Sequence, residues 1–195
     1  MSPSPSSAVP SGSAIGTPED TPRPAPPGGF VPWLATVGGL GYAPVAPGTV
    51  GAAAGVALFW GLSRLGTPLY ALTVAAGMGL AVWVADGAER AFGRKDDSRI
   101  VIDEVVGQLL SLLPLIPLGR ERSWGWVVTG FVLFRCFDVW KPGPVRLAEE
   151  RLAGGLGAVM DDVVAGLLAA AALGLAVLGF QVFGPAAFGL GAQTR

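Results

Sequence analysis

Long apolar stretches alternate with short charged ones along this chain of 195 residues. The stretch 50–62 is continuously apolar, and the stretches 65–85 and 163–194 contain no charged residue. A helix of about 20 apolar residues is long enough to cross the hydrocarbon core of a membrane. The pattern therefore predicts two membrane-spanning helices, one over 65–85 and one over 163–183 that Gly184-Pro185 ends.

Two shorter apolar segments, 105–119 and 123–134, are separated by three charged residues, which predicts a helical hairpin. The first would be about 22 Å long, less than the ~30 Å hydrocarbon core. Each segment can therefore be a membrane span, a re-entrant element or a buried core helix. Together with the other apolar stretches they predict an all-α fold, a compact polytopic membrane helical bundle with about four to five hydrophobic helices.

Residues 1–29 differ from the rest of the chain in composition. They contain eight prolines, six serines and four glycines, and too few apolar residues to offset the entropy of ordering the chain. They also lack the basic start and apolar run of a secretory signal. We expect a disordered tail over 1–29 and one domain over 30–195.

Composition narrows the class of protein. Hydrophobic residues make up 51% of the chain and charged residues 14%, against about 25% charged residues in soluble domains. The net charge of −1 indicates no strongly basic surface for binding nucleic acid. Nothing in the sequence requires a protein partner. With no histidine and one cysteine, Cys136, the chain cannot form zinc sites from these residues or use a histidine nucleophile. A phosphocysteine phosphatase is also excluded, since it needs arginine where Pro142 stands.

The charges fall in two segments, 86–104 and 135–162. If the apolar segments form hairpins, both charged segments and the Gly/Pro-rich stretch before residue 50 lie on one side of the membrane. Each charged segment holds four lysines or arginines, which predicts that this side is cytoplasmic.

Two pairs of adjacent acids, Asp103-Glu104 and Asp161-Asp162, stand directly before apolar runs. Acids at a helix N-terminus interact favourably with the helix dipole, so either pair alone needs no further explanation. Two pairs, with Asp138 between them in sequence, are harder to explain this way because ionisable groups at membrane depth are costly. Their mutual repulsion calls for a cation, and oxygen ligands without histidine or cysteine favour Mg²⁺.

Two further patterns could bind phosphate. A glycine- and proline-rich segment ends at Gly48-Thr49, where free amides and a hydroxyl can hold an anion, although a turn and a helix start explain the same residues. Arg135, Asp138 and Lys141 recur at three-residue spacing along one side of a predicted helix that Pro142 ends. They can form an exposed ion-pair ladder, or the two cations can hold a substrate phosphate.

Four motifs in this order resemble the phosphatidylglycerophosphatase A family, bacterial lipid phosphatases that make phosphatidylglycerol. The motifs lie at 41–51 (GYAPVAPGTVG), 100–107 (IVIDEVVG), 134–146 (FRCFDVWKPGPVR) and 157–166 (GAVMDDVVAG). The resemblance covers residues 33–180. It implies an all-α fold with a helix at its centre and Mg²⁺-dependent hydrolysis of the terminal phosphomonoester of phosphatidylglycerophosphate, at the bacterial cytoplasmic membrane with the active site facing the cytoplasm.

The resemblance also implies residue roles. The candidate catalytic residues are Asp103, Asp138, Asp162, Lys141 and Arg135; the candidate substrate-binding residues are Gly48, Thr49 and Arg146; the candidate Mg²⁺ ligands are Asp103, Glu104, Asp161 and Asp162. Which acid activates water, attacks phosphorus or holds the metal is left open. For Arg146 the role comes from reach and not from the resemblance: it is a candidate contact to the inner phosphodiester of the phospholipid substrate, one glycerol unit from the reacting phosphate.

Two functions of other classes stay open at this point. A small ion or solute transporter would place ionisable residues in the middle of its spans, whereas here the long apolar stretches are uncharged and the acids lie at their ends. A membrane scaffold without chemistry would leave both acid pairs unexplained. Phosphate release from lipid, with and without Mg²⁺, would separate these functions.

Overall fold

The computed structural model describes residues 28–95, 97–151 and 155–187. The tail predicted over 1–29 lies outside the described residues up to residue 27. The described residues form α-helices joined by short 3-10 turns and contain no strand, which confirms the all-α class. The helices are α1 (Phe30–Ala35), α2 (Pro47–Leu62), α3 (Thr67–Phe92), α4 (Ile102–Leu112), α5 (Trp124–Trp140), α6 (Gly143–Arg151) and α7 (Gly155–Ala187).

Helix α4 lies at the centre of the fold and contacts α2, α3, α5 and α7. Nine of its 11 residues are buried. At 1.5 Å per residue it is about 17 Å long, too short to cross a membrane. Of the alternatives for the segment 105–119, the structure therefore selects the buried core helix, followed by a 3-10 turn at Leu113–Leu115.

Glycines let the helices approach α4 closely. A Cβ atom on Gly51 of α2 would lie 2.9 Å from the carbonyl oxygen of Val101, the residue before α4, and one on Gly55 would lie 2.9 Å from the carbonyl oxygen of Val105 in α4. A Cβ on Gly166 of α7 would lie 2.6 Å from the carbonyl oxygen of Gly107 in α4. Because only glycine fits at such distances, these positions fix how α2 and α7 pack on the central helix. They place the first turn of α4, which carries Asp103, beside the part of α7 that carries Asp162.

Two helices, α3 and α7, are long and apolar enough to cross a membrane. Only 28% of the most apolar stretch of α3 and 33% of that of α7 is buried within the bundle. Large apolar side chains are therefore exposed along both, including Leu72 and Trp83 on α3 and Leu175 and Phe183 on α7. Such faces suit a membrane better than water. Helices α2 and α5, with 16 and 17 residues, reach only about 24–26 Å.

The helix ends predicted from the sequence were wrong at two places. Helix α3 does not end near Asp86, where the predicted span stops, but continues to Phe92. Asp86 pairs with Arg90 one turn later, which stabilises this extension. The helix ends at Gly93, which has φ 66°. Helix α7 runs through Gly184-Pro185 to Ala187. A proline so near the end of a helix removes few backbone hydrogen bonds.

The two charged segments are also more helical than expected. Segment 135–162 contains the end of α5, all of α6 and the start of α7. Asp161 and Asp162 therefore do not begin a helix; they are the seventh and eighth residues of α7. The helix-dipole explanation for this pair fails, whereas Asp103 and Glu104 do lie in the first turn of α4.

Candidate active site

A cavity of about 160 Å³ opens where α4, α5 and α7 meet the loop before α4. Six carboxylates and two lysines are among its lining residues. The carboxylates are Asp97, Asp103, Glu104, Asp138, Asp161 and Asp162, and the lysines are Lys95 and Lys141. The fold thus brings both acid pairs, Asp138 and Lys141 into one cavity, and we call this end of the bundle the acid end.

Three of the six carboxylates are paired with a cation. Asp161 accepts a hydrogen bond of 2.9 Å from the Nζ atom of Lys141. Asp97 accepts two hydrogen bonds of 2.7 Å from the guanidinium of Arg99, and this ion pair lowers the pKa of Asp97.

The third pair joins Asp138 to Arg135, one turn earlier on α5. This ion pair confirms the predicted helical ladder up to Trp140, where α5 ends. Lys141 follows in a left-handed conformation, with φ 44°. That conformation costs a non-glycine residue about 1–2 kcal/mol, so the ammonium is held at Asp161 by a strained backbone.

The other three carboxylates, Asp103, Glu104 and Asp162, form no ion pair with any lysine or arginine among the described residues. One oxygen from each lies within 4.8 Å of the others. Asp103 and Asp162 are only 8% and 4% exposed. Two buried oxygens of this group, Glu104 Oε2 and Asp162 Oδ1, have no hydrogen-bond partner in the described part of the chain. We call these three residues the carboxylate triad.

Burial and mutual repulsion disfavour the charged forms of the triad. Burial raises the pKa of Asp103 well above its ordinary value, and the negative charge of Glu104 raises it further. Burial also raises the pKa of Glu104. Unpaired buried carboxylates are costly, so a site of this kind is stable in its ionised form only with a cation.

The triad fits a hard divalent cation. Its ligand atoms are all carboxylate oxygens, which Mg²⁺ prefers, and its two orphaned oxygens offer free coordination sites. Asp161, also expected as a ligand, lies in the same cavity but outside this group, because its carboxylate bonds Lys141.

Asp161 and Asp162, although adjacent on α7, contact different partners. Successive side chains on a helix point about 100° apart, which allows this separation but does not require it, since Asp103 and Glu104 on α4 share the triad. Asp162 faces Asp103 and Glu104, and Asp161 faces Lys141 at the end of α5. The backbone N–H of Asp162 also donates to Asp161 Oδ1 at 3.0 Å, which fixes the Asp161 side chain.

Gly48 lies against the triad rather than in the lining of the cavity. A Cβ atom at this position would be 2.2 Å from Oε1 of Glu104 and 3.4 Å from a guanidinium nitrogen of Arg135. The residue before Pro47, Ala46, has φ 48° and caps α2, and the Thr49 amide donates to the Ala46 carbonyl at 2.9 Å. Gly48 therefore gives Glu104 its space, and neither Gly48 nor Thr49 is among the residues that line the cavity.

The family model of phosphatidylglycerophosphatase A matches residues 33–177 of the chain. This range contains all six cavity carboxylates and most of the described fold. The chain belongs to the phosphatidylglycerophosphatase A family.

Individual relatives agree with the family match. Phosphatidylglycerophosphatase A of Escherichia coli (strain K12) is 37% identical over 144 residues, which cover 73% of this chain and 81% of that protein. The Haemophilus influenzae protein of the same name is 37% identical over 137 residues, 70% of this chain and 82% of its own. A Bacteroides thetaiotaomicron protein provisionally named a phosphatidylinositol-3-phosphatase is 40% identical over 146 residues, 71% of this chain and 88% of its own. No solved structure matches the chain significantly.

Membership of the phosphatidylglycerophosphatase A family makes the chain an enzyme, a phosphatase acting in phospholipid metabolism. A transporter is not favoured by this result. In the cavity the paired carboxylates keep cations beside the triad, and the triad itself pairs with no lysine or arginine among the described residues.

Sequence reasoning missed several lining residues that this phosphatidylglycerophosphatase A homologue brings to the cavity. Asp97 and Ser98 come from the loop before α4, and Gly157 and Ala158 come from the first turn of α7. The Asp97–Arg99 spacing resembles any surface ion pair, so only the tertiary fold reveals its place. Arg146, expected at the inner phosphodiester, is exposed on α6 and is not among the lining residues.

Proposed function

We propose that this chain hydrolyses the terminal phosphomonoester of phosphatidylglycerophosphate with the help of Mg²⁺. The observation that carries the proposal is the carboxylate triad: three acids in the lining of a cavity, two of them buried, which pair with no cation among the described residues, in a chain of a phosphatase family. The cavity is anionic, and a phosphate monoester is also anionic. Substrate and site would repel each other unless a divalent cation lay between them.

Asp103, Glu104 and Asp162 are the residues that would hold the ion. When bound there, Mg²⁺ supplies positive charge for the phosphoryl oxygens and makes water a better nucleophile. The rest of the chemistry belongs to the protein. Asp161 holds Lys141 at the cavity wall, where the ammonium of Lys141 can bind a substrate oxygen. Arg135 lies earlier on α5 and pairs with Asp138.

Asp138 is the carboxylate we assign to proton transfer. It lines the cavity outside the triad and is paired with Arg135. The oxygen of a water molecule bonds to phosphorus while the bond from phosphorus to the glycerol oxygen breaks. The carboxylate takes the proton of the water and returns it to the glycerol oxygen, so that the products are phosphatidylglycerol and inorganic phosphate.

The protein surface has features of an enzyme that acts at a membrane–water interface. At the acid end, Trp33 and Trp140 are exposed, and at the opposite end Trp60 and Trp124 are exposed. Tryptophans at both ends of apolar helices are typical of the two membrane–water interfaces. We propose that α3 and α7 cross the bacterial cytoplasmic membrane and that the acid end faces the cytoplasm, since lysines and arginines are abundant there.

The test is phosphate release from defined lipids in detergent micelles. The full chain should release phosphate from phosphatidylglycerophosphate, lose this activity with a chelator, and regain it with Mg²⁺. Phosphatidic acid and phosphatidylinositol 3-phosphate, whose headgroups differ, should be poorer substrates by kcat/KM. Equal rates on all three lipids would make the chain a general lipid phosphatase. Activity that persists with a chelator would refute the requirement for Mg²⁺.

Arg146→Ala tests the part of the proposal that concerns substrate choice. If Arg146 contacts the inner phosphodiester, its loss should lower kcat/KM for phosphatidylglycerophosphate by about tenfold and leave phosphatidic acid unaffected. An equal loss on both lipids would show that this residue has no role in choosing the substrate.

A further inference from the structure

A second polar cavity lies at the end of the bundle opposite the acid end. Its volume is about 180 Å³, and it is lined by Trp60, Ser63, Arg64, Glu121 and Arg122. Helix α2 runs from Gly48 beside the triad to Leu62, and α5 returns from Trp124 to Asp138. The segments that line this cavity are therefore separated from the acid cavity by the length of these helices. We call it the far cavity.

The charged groups of the far cavity have no ion-pair or hydrogen-bond partner in the part of the chain that the structure describes. Arg64, Glu121 and Arg122 form no ion pair or side-chain hydrogen bond within the described ranges. One carboxylate oxygen, Oε2 of Glu121, is buried and lacks any hydrogen-bond partner there. Burial without a partner is costly, so the cavity would be stabilised by a ligand that supplies both an anion for the arginines and a donor for this oxygen.

The position of the far cavity matches the surface of a membrane. Trp60 packs against Trp124 with ring centroids 4.4 Å apart, and both rings are exposed. The apolar helix α3 begins at Thr67, three residues after Arg64. A tryptophan pair beside arginines at the start of an apolar helix is the arrangement expected at the level of lipid headgroups.

We propose that the far cavity binds the headgroup of a membrane phospholipid whose headgroup carries a hydrogen-bond donor. Arg64 and Arg122 hold the phosphodiester, and Oε2 of Glu121 accepts a hydrogen bond from the ammonium or hydroxyl group beyond it. The acyl chains continue along the exposed apolar surface next to Trp60. This site lies at the opposite end from the phosphatase site and does not depend on its chemistry.

Two lipids of equal net charge separate this site from general attraction to phosphate. Phosphatidylethanolamine carries N–H donors, whereas phosphatidylcholine has the same phosphodiester and a quaternary ammonium without them. Native mass spectrometry of the full chain in detergent, titrated with each lipid, measures how much lipid stays bound. Phosphatidylethanolamine should bind at least about tenfold more tightly, because only it satisfies the orphaned carboxylate oxygen.

Variants of the lining residues show which of them cause the difference in binding between the two lipids. The variant Arg122→Gln should weaken phosphatidylethanolamine binding by about tenfold. Glu121→Ala should remove only the preference over phosphatidylcholine. Arg120→Gln is the matched control, because it removes one positive charge from the same loop but does not line the cavity. Phosphate release from phosphatidylglycerophosphate, measured on each variant, confirms that the fold is intact.

Several results would overturn the proposal. Equal affinity for the two lipids would show that the orphaned oxygen selects nothing. Equal weakening by Arg120→Gln and by Arg122→Gln would reduce the effect to overall charge. Protection by 10 mM inorganic phosphate against thermal unfolding, as strong as protection by the lipid, would make the cavity a site for small anions. If Glu121→Ala does not fold, the comparison of the two lipids on the unaltered chain still decides.

Discussion

The six acids of the active-site cavity form two sets that differ in charge balance more than in burial. Asp97, Asp138 and Asp161 each pair with a cation of the protein, whereas Asp103, Glu104 and Asp162 pair with none among the residues that the structure describes. An acid with its own cation is satisfied and stabilises the local structure. An acid without one is available to a cation from outside, which is why we place Mg²⁺ at the triad.

The sharpest contrast lies within one pair of neighbours on α7. Asp161 and Asp162 have similar exposure, at 8% and 4%, yet they belong to different sets. Asp161 positions Lys141, and Asp162 leaves one buried oxygen free. We therefore propose that these adjacent acids differ in role, and that their partners decide which of them would hold a metal ion.

Replacing these neighbours one at a time should give the largest effect. Asp162→Asn keeps the shape of the side chain but removes a triad charge, so kcat/KM should fall by about a thousandfold or more. Asp161→Asn should cost about tenfold, because Lys141 loses its anchor but keeps its charge. Phosphate release from phosphatidylglycerophosphate at saturating Mg²⁺ is the measurement. A larger loss for Asp161→Asn would reverse the division of the acids.

The space around Glu104 provides a second test of the difference between the paired and the unpaired acids. Gly48→Ala would put a Cβ atom 2.2 Å from Oε1 of Glu104, so the carboxylate must move. Displacement of a reacting group by about 1 Å can cost about a hundredfold, and we expect a loss of that size in kcat/KM. Gly61→Ala, on the same helix with nothing within 4 Å, is the control and should retain full activity. Full activity of Gly48→Ala would show that the position of Glu104 is unimportant.

A smaller effect concerns stability and pH without divalent cations. Because the pKa values of Asp103 and Glu104 are raised, the folded chain binds more protons than the unfolded chain above pH ~4. The free energy of unfolding should therefore fall as pH rises from about 5 to 8, and Mg²⁺ should restore it. Thermal unfolding in a chelator measures this slope, and Asp103→Asn should flatten it. An Asp103→Asn variant with the slope of the unaltered chain would contradict the unpaired state of the triad.

Much of the fold was predictable because it depends on local patterns. Apolar runs gave the cores of α2, α3 and α7, and three-residue spacing gave the Arg135–Asp138 pair. The helix ends were less accessible, since α7 begins before Asp161 through packing: a Cβ on Gly155 would lie 2.4 Å from the backbone nitrogen of Asp86 on α3. Such a contact has no signal in the local sequence.

The candidate site was predictable in its residue types and less so in its grouping. Acid pairs before apolar runs pointed to a cation site, but which acids share it depends on where each cation lies in space. Lys141 is 20 residues from Asp161 in sequence, and nothing local indicates that they meet. Gly48, expected to bind phosphate, lies against Glu104, which only the packing of α2 on α4 reveals.

Calorimetric titration of Mg²⁺ into the full chain in detergent tests the carboxylate triad most directly. The unaltered chain should bind the ion, Asp162→Asn should bind it at least about a hundredfold more weakly, and Asp161→Asn should stay within about tenfold of the unaltered chain. Equal losses in the two variants, or a larger loss in Asp161→Asn, would contradict the assignment of the metal to Asp103, Glu104 and Asp162.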